Sequence, residues 1–104
     1  SNESAHGTGA FINKGSSSRL FAEIALKNIS EATGLKNRKV REKDLHMVRE
    51  TKSFFVLFEA AFMTNDNELK LLKSESFRNL YTLTLFESFL EFTSLYQDDF
   101  FQRN

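Results

Sequence analysis

The stretch FFVLFEAAFMTNDNE, residues 54–68, decides the fold of this 104-residue chain. Its first five residues form a continuous apolar run, whose length and β-compatible composition predict a strand covered on both faces, as in a parallel sheet. Asn65, followed three positions later by Glu68, predicts the capping box of a helix. A buried strand that leads into a helix is typical of an α/β fold, so that class is predicted here.

Glu59 is the candidate catalytic residue of this stretch. It directly follows the apolar run, and in open α/β sheets ligands bind outside the carboxyl ends of the strands. A carboxyl group at that place can take a proton from water and return it. The alternative is a glutamate that has simply reached solvent where its strand ends, and position alone favours this alternative.

The N-terminal part of the chain predicts one strand and one helix. Residues 1–18 are rich in Ser, Gly and Asn and are interpreted as loop, apart from a short apolar strand at residues 10–12. Apolar residues recur with helical spacing over residues 19–33. Ser17 or Ser18 is the predicted N-cap, and Gly34 lies where a helix C-terminus favours positive φ.

The remaining segments complete the predicted order strand, helix, strand, strand, helix, helix. The basic stretch KNRKVREK, residues 36–43, is predicted to be a solvated loop, with contact to an anionic polymer as the alternative. LHMVR, residues 45–49, is predicted to be a short strand. Ser74 is the predicted cap of a last helix whose apolar stripe covers residues 77–96. A strand within TLTLF is the alternative there, and residues 97–104 are predicted to fray.

Composition limits the classes of partner and of metal site. Fourteen Lys and Arg balance fourteen Asp and Glu, so the charge balance does not argue for nucleic acid or an anionic membrane. The chain has no cysteine, which excludes disulfides and Cys-based zinc sites. No apolar run reaches the roughly 18 residues of a membrane span, and no signal peptide is visible.

Residues 45–72 resemble the closing motif of the zinc-dependent N-acetylmuramoyl-L-alanine amidases, the amidase type 3 family of cell-wall hydrolases. In that family a Leu-Arg-x-Thr strand leads to an apolar strand that ends in Glu. A small pair, Phe, a small or polar residue, Asn and an acidic helix start follow. The matching positions here are Val48-Arg49-Glu50-Thr51, Val56-Leu57-Phe58-Glu59, Ala60-Ala61-Phe62, Thr64-Asn65 and Glu68. The similarity covers about residues 7 to 96, including the Asn-Arg pair of GLKNRKVREKDL.

The resemblance implies a fold and a domain organisation. It implies the C-terminal portion of a three-layer α/β sheet with flanking helices, whose N-terminal strands are missing. Residues 1–104 are then a partial catalytic domain, with a loop and short strand at 1–18, an α/β core at 19–96 and a tail at 97–104.

The resemblance also implies zinc chemistry on peptidoglycan. The family holds zinc with two histidines and a glutamate, and a further glutamate, at Glu59 here, works with the metal-bound water. The amide between muramic acid and L-alanine is cut. The family's ligands come early in its domain, so most are expected upstream of Ser1. His6 is the candidate for the last ligand, although its context matches the loop after the family's His-x-Asn strand. His46 matches no ligand position.

A sheet without its first strands would expose an apolar edge. We therefore expect this chain alone to be inactive, and to associate with itself or with a missing N-terminal segment. The expected setting is a secreted or cell-wall protein, or a phage protein released at lysis. Two alternatives remain: a binding module with a degenerate amidase fold, and an unrelated helical interaction domain. The second requires FFVLF to be helical.

Overall fold

A small mixed sheet carries the helices of this protein. The computed structural model describes residues 4–45 and 54–102, with side chains described as far as residue 95. Within those residues the elements are β1 (Thr8–Ile12), α1 (Arg19–Thr33), β2 (Asn37–Glu42), β3 (Leu57–Glu59), α2 (Asp66–Lys73) and α3 (Glu75–Gln102). The strand order is β2-β1-β3, with β1 parallel to β2 and antiparallel to β3. The predicted α/β class is confirmed. The predicted order also has a strand between α1 and β3, but the observed β2 lies in a different segment from the predicted one.

The core lies between the sheet and two of the helices. On β1, the side chains of Thr8, Ala10 and Ile12 are almost completely buried. Helix α1 packs Ala22 and Leu26 against this strand, and its Phe21, Ala25 and Ile29 face α3. Each fully buried large apolar side chain contributes about 1.5–3 kcal/mol to stability. Among the described residues, no helix is long and apolar enough to cross a bilayer.

Helix α1 begins and ends at the predicted residues, but its N-cap differs from the prediction. Gly34 adopts φ 76° and its N–H donates to the Ser30 carbonyl, as a C-terminal glycine does. Ser18 occupies the N-cap position without a side-chain cap bond. Its hydroxyl instead donates to the Phe55 carbonyl at 2.8 Å, which ties the helix start to the segment before β3.

The prediction of a solvated loop at residues 36–43 is wrong, because β2 lies there. Its residues are mostly charged and partly exposed, as is common on edge strands, where charge discourages further pairing. Val40, its only aliphatic residue, packs on the core beside β1. The strand predicted at 45–49 lies outside the described residues except for Leu45, which is buried and donates its N–H to Asn13.

The apolar run at 54–58 differs from its prediction in the length of its strand, in the direction of its pairing and in how far its side chains are buried. Only Leu57 and Phe58 join β3, which pairs antiparallel with β1, and Leu57 is 37% exposed. Phe54 stacks on Phe21, with ring centroids 5.8 Å apart, so the run packs on helices as well as on the sheet. The segment is not helical, which excludes the unrelated helical interaction domain.

Helices α2 and α3 follow their capping signals. The Asn65 side chain accepts the Glu68 N–H at 3.1 Å, and the Ser74 hydroxyl accepts the Phe77 N–H at 3.3 Å. TLTLF is helical, and α3 continues to Gln102 where fraying was predicted. No glycine or proline interrupts residues 75–102, so nothing in the sequence ends the helix earlier.

A β-bulge on β2 shifts the register of the parallel pair. Thr8 pairs with Asn37 and Ala10 pairs with Val40, so two residues of β2 oppose one of β1. Lys39 lies in this bulge at φ 73°, a left-handed conformation that is unfavourable for residues with a Cβ atom.

Lys39→Gly should therefore raise the free energy of unfolding by about 1 kcal/mol, because glycine adopts this conformation without strain. Urea unfolding would measure the change. Lys36→Gly is the matched control, because Lys36 is not among the positive-φ residues. Glycine there should lower stability, and equal effects at both positions would contradict a strained Lys39.

Candidate functional site

Glu59 ends β3, beside the middle strand of the sheet. It pairs with Gly9 of β1, and its side chain is 45% exposed rather than enclosed by a buried strand. The Oε1 atom lies 3.8 Å from Nη1 of Arg38, an ion-pair distance. The carboxylate lies at the end of β3, as predicted, and is accessible to water. Because β3 is antiparallel to β1, this is the amino end of β1 and β2, so the expected position at the carboxyl edge of a parallel sheet is wrong.

A chain of hydroxyl groups fixes the backbone of Glu59 from inside the fold. The Thr8 hydroxyl donates to the Glu59 carbonyl at 3.1 Å and lies 2.9 Å from the Tyr81 hydroxyl of α3. Burial raises the pKa of Tyr81, and the hydrogen bond with Thr8 lowers it by a smaller amount. These contacts link the end of β3, the start of β1 and α3.

The Glu68 carboxylate fixes the loops on either side of this point. Glu68 is 5% exposed. Its Oε2 accepts the Gly7 N–H and its Oε1 accepts the Phe62 N–H, both at 2.8 Å. The predicted capping box is therefore only half formed, because this carboxylate serves two other segments. The sequence did not predict this role. The spacing of Asn65 and Glu68 is the same whether the Glu68 carboxylate completes a capping box or accepts the distant Gly7 N–H.

The candidate ligand His6 lies in the loop before β1. It is exposed, and its Nδ1 atom lies 2.8 Å from the Ser4 carbonyl. Within residues 4–45 and 54–102, no group of three His, Cys, Asp or Glu side chains is placed to hold a metal ion. A zinc site needs three or four such ligands, so the described residues do not fit the metal by themselves. His46 lies outside the described residues.

The family model for N-acetylmuramoyl-L-alanine amidases matches residues 1–88. This chain belongs to that family. The predicted family is thereby confirmed, and the match includes β1, β3 and Glu59. Helix α3 extends 14 residues beyond the match, which follows from its end at Gln102.

Solved amidase domains share the fold. The catalytic domain of CwlV from Bacillus (Paenibacillus) polymyxa var. colistinus is 29% identical, with a TM-score of 0.76 over 89% of this chain and 51% of that one. The CwlD amidase of Clostridioides difficile, solved with the GerS lipoprotein, is 20% identical, with a TM-score of 0.82 over 90% of this chain and 49% of that one. This chain spans about half the length of either amidase.

A curated relative extends the likeness at the level of sequence. An uncharacterized protein of Clostridium perfringens is 33% identical over 75 residues, which is 70% of this chain and 22% of that protein. The amidase-family chain therefore corresponds to one part of a longer relative as well as to part of the solved domains.

The raised pKa of Tyr81 predicts a loss of stability at alkaline pH. Because its folded pKa exceeds the ordinary value of 10.0, the folded state favours the protonated phenol. This contribution is complete below that ordinary value and is lost as the pH rises through the folded pKa. Tyr81→Phe should lose less stability than the parent above about pH 10, as measured by urea unfolding at a series of pH values.

The chain contains two tyrosines, Tyr81 and Tyr96, so Tyr96→Phe leaves Tyr81 as the only phenol. Ultraviolet absorbance of that variant should report ionisation above the ordinary pKa of 10.0. Ionisation at or below that value would contradict burial of the Tyr81 hydroxyl.

Proposed function

We propose that this chain forms the C-terminal half of a peptidoglycan amidase domain, and that Glu59 is its catalytic acid and base. The observation that carries the proposal is the Glu59 carboxylate, accessible at a strand end and anchored through its own backbone, in a chain of the amidase family. The proposed substrate is the amide bond between muramic acid and the L-alanine of the stem peptide.

The proposed role of Glu59 is proton transfer. A carboxylate at this position can accept a proton from the water that attacks the amide carbonyl, and deliver it to the leaving amine. The Thr8 hydroxyl bond anchors the main chain of Glu59, which limits the movement of the carboxylate during both transfers. Positioning of this kind lowers the entropic part of the barrier.

Zinc enters this proposal only through additional polypeptide. The described residues do not fit the metal by themselves, so most of the proposed ligands come from outside them. Among residues 4–45 and 54–102, His6 is the candidate for one further ligand. We propose on the same ground that the chain alone is inactive. A protein that cuts peptidoglycan acts at the cell wall, either after secretion or on release at lysis.

The proposed role of Glu59 predicts a large loss of hydrolysis in Glu59→Gln. In the active protein that contains this chain, cleavage of peptidoglycan should fall by about 10²–10⁴-fold, the usual contribution of a general acid or base. Zinc content, measured by metal analysis, should not change. Turbidity loss of purified cell walls and release of muramoyl-linked peptides would both be measured.

Glu42→Gln is the matched control for this experiment. Glu42 ends β2, its side chain is also 45% exposed, and its partner is likewise an arginine, Arg19 at 3.1 Å. It should retain full activity. Unchanged cleavage by Glu59→Gln would disprove the catalytic assignment, and equal losses in both variants would point to general destabilisation.

Association is the second part of the proposal. On α3 the side chains of Leu83, Phe86 and Leu90 are 54%, 59% and 51% exposed, on the side of the helix away from the core. β3 pairs with β1 along one edge, and no strand among the described residues pairs with its other edge. Large apolar side chains exposed together on one helix face are typical of an interface, so we propose that the chain pairs with itself or with an N-terminal segment of its domain.

Sedimentation of the isolated chain should therefore show association that increases with concentration. Phe86→Lys should weaken it, because a charge in an apolar interface is costly. Met63→Lys, which adds the same charge at a 72% exposed residue of the loop before α2, serves as control. A monomer at all concentrations would contradict the proposal.

A further inference from the structure

Arg38 and Glu59 approach each other although their strands are not neighbours. β1 lies between β2 and β3. Adjacent strands are about 4.8 Å apart, so the backbones of Arg38 and Glu59 are separated by roughly 10 Å. Their charged groups are nevertheless only 3.8 Å apart. The Arg38 side chain must therefore cross the middle strand of the sheet.

Two glycines lie beside this crossing, Gly9 within β1 and Gly7 just before it. Gly9 pairs with Glu59 on one side and lies beside the bulge of β2 on the other. A Cβ atom at Gly9 would lie 3.4 Å from the Arg38 Cβ, and one at Gly7 would lie 2.9 Å from the Arg38 Cγ. At Gly7 it would also lie 2.6 Å from the Lys36 carbonyl oxygen, so that position excludes any larger residue.

The far end of Arg38 rests on a fixed aromatic ring. Its guanidinium carbon lies 4.4 Å from the centroid of Phe62, a cation–π contact. The Phe62 main chain is held in turn by the buried Glu68 carboxylate. The Arg38 side chain is only 21% exposed, which limits the directions that its charged group can take.

We infer that Arg38 is a positioning residue. Its guanidinium group reaches across Gly9 and holds the Glu59 carboxylate in place at the end of β3. The inference rests on the proposed function of Glu59. A glutamate side chain has three free torsions, and a fixed positive charge beside it reduces the conformations that it samples. The partly exposed pair adds little to stability, so the approach of Arg38 across Gly9 to Glu59 is explained better by placement of the carboxylate than by folding.

The pairing can be tested in the isolated chain by NMR. Glu59→Gln should shift the guanidinium Nε–H resonance of Arg38 and leave that of Arg41 in place. Arg41 is the matched arginine, because it lies on the same strand and is exposed. Arg38→Gln should conversely shift the side-chain carboxyl carbon of Glu59, whereas Arg41→Gln should not. An Arg38 resonance that does not respond to Glu59→Gln would overturn the inference.

Kinetics of the active protein that contains this chain separates positioning from binding. Arg38→Gln should lower kcat by roughly 10–100-fold, as misplacement of a reacting group does, with KM changed less than about twofold. Arg38→Lys, which keeps the charge, should recover part of the loss, and Arg41→Gln should match the parent. In the Glu59→Gln background, Arg38→Gln should cause no further loss.

The outcomes distinguish the two levels of the proposal. Full activity of Glu59→Gln would remove the proposed function and this inference with it. An inactive Glu59→Gln variant beside an Arg38→Gln variant with the parent kcat would overturn the role of Arg38 alone. A rise in KM without a fall in kcat would also overturn it, because that result assigns Arg38 to substrate binding.

Discussion

Pairing of β1 along both of its edges is the constraint on which the rest of this structure depends. β2 runs parallel on one side and β3 antiparallel on the other, and α1 covers the strand between them. Both pairings join segments that are well separated in the sequence, so each one closes a long loop. The cost of loop closure rises only slowly with length, so a short central strand with buried Ala10 and Ile12 is enough to organise the chain.

Buried hydrogen bonds fix the loops that the strand pairing does not hold. The Glu68 carboxylate accepts two main-chain N–H groups, from Gly7 and Phe62, and thereby joins the entry of β1 to the exit of β3. A buried carboxylate without such partners would be costly, by several kcal/mol. Thr8 follows Gly7 at the start of β1. Its hydroxyl bonds to the Glu59 carbonyl and to the Tyr81 hydroxyl, which connects Glu59 to α3. The candidate catalytic residue is thus accessible at its carboxylate and held at its backbone.

The arrangement accounts for the relation between this chain and complete amidase domains. It matches about half of each solved neighbour, and the family match at residues 1–88 includes the strand that ends in Glu59. Within the described residues, no three His, Cys, Asp or Glu side chains are placed together to hold a metal ion. The described residues hold the Glu59 backbone in a defined place, and the hydrolysis proposed above draws its metal ligands from further polypeptide.

The sequence by itself determined the helices, the caps at Gly34, Asn65 and Ser74, the position of Glu59 at a strand end and the family. Those features are local: helical periodicity, the spacing of Asn65 from Glu68, and a conformational preference at Gly34. Only the tertiary structure decided that the basic stretch forms β2, that β3 is short and antiparallel, and that Glu68 serves Gly7, 61 positions away. Likewise, no local pattern shows that Arg38 reaches Glu59 over Gly9. Edge-strand pairing and contacts across a sheet depend on which segments meet in space, and the sequence around any one residue carries no record of its distant neighbours.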